Sequence, residues 1–246
     1  MPTRAVFTDA VLLRSVDYGE SDRIVTLLTR EFGKVALIAR GARRSKKRFA
    51  ASLEPFLLVS AEVALGRGEV GRLSQAQITR AFPKILSDLE RMSLAGAALE
   101  LVRGTAPVRA ADARVFSATV GMLEAFDQAE VARNEMLLAF ALRLIATLGF
   151  APRLDMCGRC GKRAPVEKPA YFDPGMGAVV CRDCGGGRLK LSADARARMT
   201  ACFSGTWAEA AHDAWPKAVF TEARKATVGV LSEHLGREVD LLSTYQ

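Results

Sequence analysis

The chain has 246 residues, of which half are apolar and a quarter are charged, and this composition excludes intrinsic disorder and low-complexity architecture for most of its length. Its formal net charge is +8, and residues 1–82 carry 14 Lys and Arg against 8 Asp and Glu. This concentration of positive charge favours a polyanion-facing module joined to a nearly neutral remainder.

No secretory signal stands out at the N-terminus, because Asp9 interrupts the apolar pattern and no apolar core ends in a small-residue cleavage site. We therefore expect a cytoplasmic protein, in which the five cysteines serve metal binding or chemistry rather than disulfides. The longest apolar stretch, Met136–Phe150, is shorter than the ~20 residues that a spanning helix needs. It predicts a buried helix and no membrane anchor.

The first 82 residues predict a small β-barrel. Short runs rich in Val, Ile and Leu alternate with turn signals such as Asp17–Gly19 and Phe32–Lys34. Five such strands in about 80 residues match the five-stranded OB-type barrel. The predicted strands are Ala10–Val16, Ile24–Leu28, Val35–Ala39, Ser60–Leu65 and Arg72–Phe82.

A basic loop, residues 40–48, lies between the third and fourth predicted strands. Six of its nine residues are Lys or Arg and none is acidic, so we expect a mutual repulsion that only a bound polyanion relieves. Arg offers planar donors to phosphate and Lys a mobile charge, which predicts contacts with a DNA backbone. The alternative is a solvated, partly disordered loop. The candidate DNA-binding residues are Arg40, Arg43, Arg44, Lys46, Lys47 and Arg48, with Arg23 and Lys34 extending the set.

The aromatic residues of this module favour electrostatic recognition over base stacking. They are few, and most of them lie at positions of the apolar pattern, which predicts that they belong to the core. The six are Phe7, Tyr18, Phe32, Phe49, Phe56 and Phe82.

From Pro83 onwards the apolar spacing becomes helical. We therefore predict an α+β protein with an OB-fold domain at 1–82 and an all-helical domain at 83–246. A zinc-ribbon-like segment with four cysteines, residues 154–190, is inserted in the helical domain. The predicted helices run from Pro83 to about Gly104, then over Ala111–Phe126, Asn134–Leu148, Ser192–Phe203 and Thr221–Leu235.

The strongest local motif is a pair of Cys-x-x-Cys turns separated by twenty residues. Each turn supplies two thiolates to a tetrahedral zinc ion, and neighbouring glycines permit the tight turns. Between the turns, Ala170–Phe172 and Ala178–Val180 predict two short strands of a hairpin. We expect one structural Zn²⁺, with the ligands Cys157, Cys160, Cys181 and Cys184.

Other uses of these cysteines fit less well. An iron–sulfur cluster is the alternative, but the paired spacing and the glycines suit zinc better. A thioredoxin-like redox pair is disfavoured because no βαβ pattern flanks either turn. Four thiolates leave no open coordination position for water, so a catalytic zinc is not expected. The fifth cysteine, Cys202, lies in a helical stretch and is predicted to be a core residue.

No residue constellation points to catalysis. Gly66–Gly71 matches a Gly-x-Gly-x-x-Gly string, but a strand pattern follows it, so we interpret it as a β-turn. His212 and His234 lie in a helical tail without a paired Ser or Cys motif. We expect a protein that is not an enzyme. A zinc-ribbon transcription or RNA-binding factor is the competing class, because it would use the same charge and the same cysteines.

Two sets of motifs, in the same order along the chain, resemble the RecO family of bacterial recombination mediators. The second set joins an apolar helix to the first Cys-x-x-Cys turn, Phe140–Pro152 followed by Cys157–Gly161. One departure is Ala141, where the family often has an acidic residue. The first set comprises Tyr18-Gly-Glu-Ser-Asp-Arg23, Leu27–Thr29, Gly33, Ala39–Arg44 and Glu54–Phe56.

The resemblance implies an OB-fold followed by a helical domain with an inserted zinc site. It implies a DNA repair protein of the RecF pathway, associated with the nucleoid, that binds single- and double-stranded DNA and anneals complementary strands. It also implies displacement of single-strand-binding protein so that RecA can load. The implied partners are RecR and the acidic tail of the single-strand-binding protein, and indirectly RecA and RecF.

A partner protein with an acidic, apolar-ended tail needs a groove that is both cationic and apolar. We expect that groove on the helices of residues 84–150, where apolar side chains lie among arginines. These arginines are Arg103, Arg109, Arg114, Arg133 and Arg143.

Overall fold

The computed structural model describes residues 4–45, 47–203, 212–236, 238, 239 and 241. Its contacts divide the chain into two compact units, Met1–Glu130 and Val131–Gln246. The first unit begins with a closed five-stranded barrel, in which neighbours follow the order β1-β2-β3-β5-β4. This confirms the predicted OB-type barrel. The strands are β1 Val6–Tyr18, β2 Asp22–Thr29, β3 Gly33–Ala39, β4 Leu57–Ala64 and β5 Val70–Ala81.

The barrel forms because its strands bury alternate side chains. In β3 and β4 every second residue is buried, which matches the two-residue period of a pleated strand. The loop between these strands contributes Phe49 and Leu53 to the same core. The other large side chains of that core include Leu12, Val25, Leu27, Leu37, Val59, Val63 and Leu73.

The barrel closes through a short parallel contact between β3 and β5. Ala36–Ile38 pair with Val70–Arg72, whereas the other four neighbouring pairs of strands are antiparallel. A cylinder closed in this way has no free edge along that seam.

Three helices complete the first unit: α1 Pro83–Leu86, α2 Leu89–Thr105 and α3 Ala113–Gln128. The sequence predicted one helix from Pro83 to Gly104, but the chain breaks before α2, because the carboxylate of Asp88 accepts from the N–H groups of Glu90 and Arg91 and caps a new helix. The predicted domain boundary after Phe82 coincides with the end of the barrel, whereas the compact unit continues through Glu130. The boundary at 82 stays a prediction.

The buried guanidinium of Arg91 fastens the end of α3 to α2. Its nitrogens donate to the carbonyls of Phe126 at 2.6 Å, Ala129 at 2.8 Å and Glu130 at 2.9 Å. Carbonyls at the C-terminus of a helix have no partner within the helix, so one planar side chain satisfies several of them at once.

Within its described residues, the second unit contains three α-helices and a small sheet. The helices are α4 Asn134–Thr147, α5 Ala193–Ala201 and α6 Lys217–Leu235, and they confirm the predicted helical stretches there. Among the described residues, no helix combines the length and apolarity that crossing a membrane requires. The sheet has the order β6-β8-β7-β9, with β6 Arg153–Cys157, β7 Ala170–Asp173, β8 Ala178–Val179 and β9 Leu189–Leu191.

The predicted hairpin between the cysteine pairs is confirmed as the antiparallel pair β7 and β8. The flanking strands β6 and β9 were not predicted, because each is short and shows no clear alternation of apolar residues. We call residues 153–191 the four-cysteine module.

Candidate metal centre and nucleic-acid interface

The four-cysteine module brings its thiols together on two tight turns. Cys157 ends β6, and its carbonyl accepts from the N–H of Gly161, which has a φ of +74°. In the second pair, Cys181 precedes the 3₁₀ helix Arg182–Cys184 and Cys184 is its last residue, followed by Gly185 with a φ of +98°. The four Sγ atoms lie within 4.8 Å of one another. A zinc–sulfur tetrahedron with bonds of about 2.3 Å has edges of about 3.8 Å, so the cluster can hold one metal ion.

Backbone N–H groups stabilise a thiolate at the buried member of the cluster. The N–H of Cys181, 3.4 Å from the Cys157 sulfur, and the N–H of Cys160 lower the pKa of the Cys157 thiol to about 6. Hydrogen bonds with the Cys181 and Cys160 sulfurs raise the pKa of Cys184 to about 12. The metal-free cluster therefore keeps protons that a bound cation displaces. Four thiolates in a closed set fit a structural zinc ion.

The fifth cysteine has no part in this cluster. Cys202 is fully buried, and burial raises the pKa of its thiol to about 12. Its Sγ lies 3.2 Å from the carbonyl oxygen of Arg198. The prediction that Cys202 is a core residue is confirmed.

The basic loop is anchored to the barrel at both ends. At its start, the N–H of Gly41 donates to the Asp22 carboxylate at 2.8 Å, and the N–H of Arg43 donates to the Ser21 carbonyl at 3.0 Å. At its end, the Arg48 carbonyl accepts from the N–H of Ala76 at 2.9 Å. These bonds fix both ends of the loop on the barrel, while the alternative of a solvated, partly disordered loop stays a prediction.

Acidic residues on the β1–β2 hairpin neutralise part of the loop's charge. Asp17 lies 3.2 Å from Arg23 and 3.4 Å from Arg43, and Glu20 lies 3.7 Å from Arg44. The expected unrelieved repulsion is therefore wrong, because carboxylates that precede the loop by some twenty residues fold back beside it. Arg23 has a second partner, Glu54, at 3.2 Å.

The other candidate cations fall into two places. Arg40, Lys47 and Arg48 are exposed on the loop, and Arg48 also donates to the Arg40 carbonyl at 2.9 Å. Lys34 lies at the opposite end of β3, about 20 Å along the strand from the first residue of the loop. Its ammonium donates to the Arg103 carbonyl at 2.6 Å, and burial lowers the pKa of Lys34. Lys46 lies outside the described residues.

Two of the six aromatic side chains of this module, most of which were predicted to belong to the core, are exposed. Tyr18 keeps 54% of its surface accessible and Phe7 keeps 55%. Tyr18 lies at the tip of the β1–β2 hairpin and pairs with Asp22, whose carboxylate holds the start of the basic loop. An exposed aromatic ring therefore lies on the hairpin that anchors the start of the loop. In the sequence, Tyr18 stands next to the turn residue Gly19 and outside the predicted strand Ala10–Val16, and this position could have indicated an exposed ring.

Four of the five helical arginines that we expected in a partner groove are engaged in structural contacts. Arg103 pairs with Glu100, and Arg114 pairs with Asp112. Arg109 binds the carbonyls of the β4–β5 turn. Arg143 donates to the Phe203 carbonyl at 2.6 Å.

Comparison with known proteins covers almost the whole chain. The family model "Recombination protein O N terminal" matches residues 4–82, and the model "Recombination protein O C terminal" matches residues 86–242. A DNA repair protein RecO of Anaeromyxobacter sp. (strain K) is 42% identical over 234 residues, which cover 93% of this chain and 91% of that protein.

More distant relatives align over the same extent. The DNA repair protein RecO of Myxococcus xanthus is 38% identical over 233 residues, covering 94% of this chain and 93% of that protein. The DNA repair protein RecO of Symbiobacterium thermophilum is 34% identical over 242 residues, covering 96% and 89%.

Proposed function

Because the chain belongs to the RecO family of DNA repair and recombination proteins, we propose that it is a recombination mediator of the RecF pathway and not an enzyme. It binds single- and double-stranded DNA on the bacterial nucleoid and anneals complementary strands. With RecR, and in concert with RecF, it displaces single-strand-binding protein so that RecA loads. It contacts the acidic tail of the single-strand-binding protein.

The observation that carries this proposal is the anchored basic loop beside an exposed aromatic ring. Arg40, Lys47 and Arg48 present positive charge on the barrel, and Tyr18 offers an exposed flat face on the hairpin whose Asp22 holds the start of the loop. Phosphate contacts position a strand without reading its bases. A protein that holds strands in this way leaves the choice of partner to base pairing, which is what annealing requires.

The metal site supports the non-enzymatic part of the proposal. Four thiolates fill a tetrahedral zinc ion and leave no position for a reacting water, so the ion organises the fold. Within the described residues, the two histidine rings do not meet a Cys or Ser side chain in the contacts of the structure. The chain therefore offers charge and shape to DNA, while the chemistry of strand exchange belongs to RecA.

The partner-binding surfaces on the helices of residues 84–150 remain part of the proposal. The contacts of Arg103, Arg109, Arg114 and Arg143 argue against these four side chains as the cations that meet an acidic tail. Arg133, which precedes α4 and is half-buried, has none of those contacts and is the remaining candidate among the five.

A zinc-ribbon transcription or RNA-binding factor is not favoured. Its prediction rested on the basic charge and the cysteines, and both features occur here within a family of DNA repair proteins. The closed barrel also counts against this alternative, because a factor that binds nucleic acid through a zinc ribbon does not require a separate five-stranded barrel.

Annealing of complementary oligonucleotides coated with single-strand-binding protein tests the proposal. We expect the protein to accelerate annealing of strands coated with the intact binding protein more than of strands coated with a tail-deleted form. A variant with Arg40, Lys47 and Arg48 changed to Ala, which we call the loop variant, removes the exposed cations to which the proposal assigns the DNA contact. Equal annealing of both coated substrates, together with no binding of an isolated tail peptide, would contradict the mediator mechanism.

A further inference from the structure

A basic groove lies on the four-cysteine module, beside the metal site and in the unit that does not contain the barrel. It is a cavity of about 420 Å³. No carboxylate among the described residues lines it, whereas five cations do. They are Lys162, Arg163, Lys168, Arg182 and Lys190.

One wall of the groove is built on a buried arginine. Arg196 of α5 is only 5% exposed, and its guanidinium donates to the carbonyls of Pro165 and Lys168 at 2.8 Å each and of Ala164 at 3.3 Å. A fourth bond, at 2.9 Å, reaches the Leu154 carbonyl of β6. The segment Ala164–Lys168 contains no strand or helix, so these bonds fix the wall in place.

Most of the groove's positive charge has no acidic partner. Lys162 pairs with Asp183 at 3.0 Å, outside the lining. For Arg163, Lys168 and Lys190, the described part of the chain offers no carboxylate within ion-pair distance. Residues 153–191 carry eight Lys and Arg against four Asp and Glu, so the nearly neutral second part of the chain contains a distinctly basic module.

Two planar side chains of the lining, Arg182 and Tyr171, form a cation–π pair that we call the floor of the groove. The Arg182 guanidinium carbon lies over the Tyr171 ring at 5.6 Å from its centre, and Pro165 and Pro169 are also among the lining residues. Aromatic rings and guanidinium planes are the surfaces on which unstacked nucleic-acid bases settle.

We propose that this groove binds one single strand of nucleic acid, with the phosphates on its cations and a base over the Arg182–Tyr171 pair. The proposal rests on the proposed function and deepens it, because annealing requires two strands. The anchored basic loop holds one strand on the first compact unit, and the groove holds the second strand on the other unit.

A single strand fits this surface better than a duplex or an acidic peptide. A duplex keeps the faces of its bases stacked inside, so the flat pair at the floor would gain nothing from it. An acidic peptide pairs its carboxylates with the cations, but its Asp and Glu side chains carry no aromatic face to lie over the Arg182–Tyr171 pair. Only an unpaired strand uses the cations and the flat floor together.

The test compares two variants with equal losses of charge. The groove variant carries Arg163→Ala, Lys168→Ala and Lys190→Ala, which leaves the four cysteines and their immediate neighbours intact. The control carries Arg153→Ala, Arg188→Ala and Lys217→Ala, three exposed cations of the same unit that do not line the groove. Zinc content and thermal unfolding are measured for both, so that a folding defect is recognised. The probes are a labelled oligothymidylate, an oligoglutamate peptide and bare complementary strands.

We expect the groove variant to lose about fivefold to tenfold in annealing rate, and the salt slope of oligothymidylate binding to fall by roughly 2, since each lost single-strand phosphate contact removes about 0.7. The control keeps wild-type annealing. In the wild-type protein, an oligonucleotide with 5-iodouracil crosslinks under light to the peptide that contains Tyr171.

Other outcomes overturn the proposal in distinguishable ways. If the groove variant anneals like the control while the loop variant fails, the second strand binds elsewhere and the proposed function stands. If the groove variant loses oligoglutamate binding but keeps the DNA slope, the groove is a peptide site. If the wild-type protein neither binds nor anneals DNA, the proposed function itself fails.

Discussion

The Sγ atoms of Cys160 and Cys181 lie 3.7 Å apart, although the two residues are separated by 21 positions in the chain. This distance is close to the edge of about 3.8 Å expected for a zinc–sulfur tetrahedron. The turn after β6 and the 3₁₀ helix after β8 therefore meet at one point. A metal ion at that point links the two ends of the intervening hairpin.

Loss of one ligand is expected to release the metal and weaken the second unit. In Cys157→Ser or Cys184→Ser, zinc should fall from about one per chain to well below half, and the melting temperature should drop by roughly 5–10 °C. Metal analysis and thermal unfolding measure both. Cys202→Ala is the control, because it removes a buried sulfur at a cost of about 1 kcal/mol while zinc stays bound. Wild-type protein purified without near-stoichiometric zinc would refute the assignment.

Removal of the loop cations should weaken DNA binding for all sequences alike. With Arg43, Arg44, Lys46 and Lys47 changed to Ala, the salt slope should fall by roughly 0.7 for each lost contact with a single strand. Anisotropy titrations at several salt concentrations give both affinity and slope. Arg67→Ala with Arg14→Ala, two exposed barrel residues outside the loop, provides the comparison. Unchanged affinity and slope in the quadruple variant would move DNA binding away from the loop.

Asp17 competes with DNA for the same cations, so its neutralisation should strengthen binding. Asp17→Asn frees Arg23 and Arg43 from ion pairs of 3.2 and 3.4 Å. Exposed pairs contribute about 0.2–1 kcal/mol, so we expect affinity for single-stranded DNA to rise by roughly 1.5- to 5-fold at low salt. Glu69→Gln, an equal change of charge on the β4–β5 turn, separates this local effect from net charge. An equal rise in both variants would contradict it.

Gly33 is expected to tolerate no side chain. Its φ is +67°, and a Cβ there would overlap the carbonyl of Ala110 in the loop before α3. Gly33→Ala should therefore lower the free energy of unfolding by at least ~2 kcal/mol. Gly68→Ala, where a Cβ meets nothing within 4 Å, should leave it nearly unchanged. Urea titrations measure the free energy of unfolding of the two variants. Similar midpoints would contradict the prediction, because they would show that the loop near Ala110 moves aside at little cost.

The strands of the barrel could be predicted from their short runs of Val, Ile and Leu between turn signals, and burial alternates strictly in β3 and β4. Its closure could not be, because it depends on Ala36–Ile38 meeting Val70–Arg72, a contact between distant segments that no local period encodes. The break before α2 escaped the apolar pattern for a different, local reason. It depends on one capping carboxylate, that of Asp88, rather than on a change of spacing.

The metal ligands could be chosen from the sequence because their spacing alone reflects the geometry of the site. The surface around the basic loop could not, because Asp17 and Glu20 reach it through the fold. Proximity in sequence was also misleading for Lys34. It lies at one end of β3, whereas the basic loop begins after the other end, so the length of the strand separates them. Charge runs are visible in a sequence, whereas the groups that neutralise them are not.

Arg196 makes the four-cysteine module dependent on a helix that follows it in the chain. The four thiols lie within residues 153–191, but the guanidinium that holds Ala164–Lys168 and β6 belongs to α5. The module is therefore not portable. A peptide cut at residue 191 would keep its metal ligands and lose the order of its wall. Transplanting this segment into another chain therefore requires a helix that supplies the same guanidinium to these carbonyls.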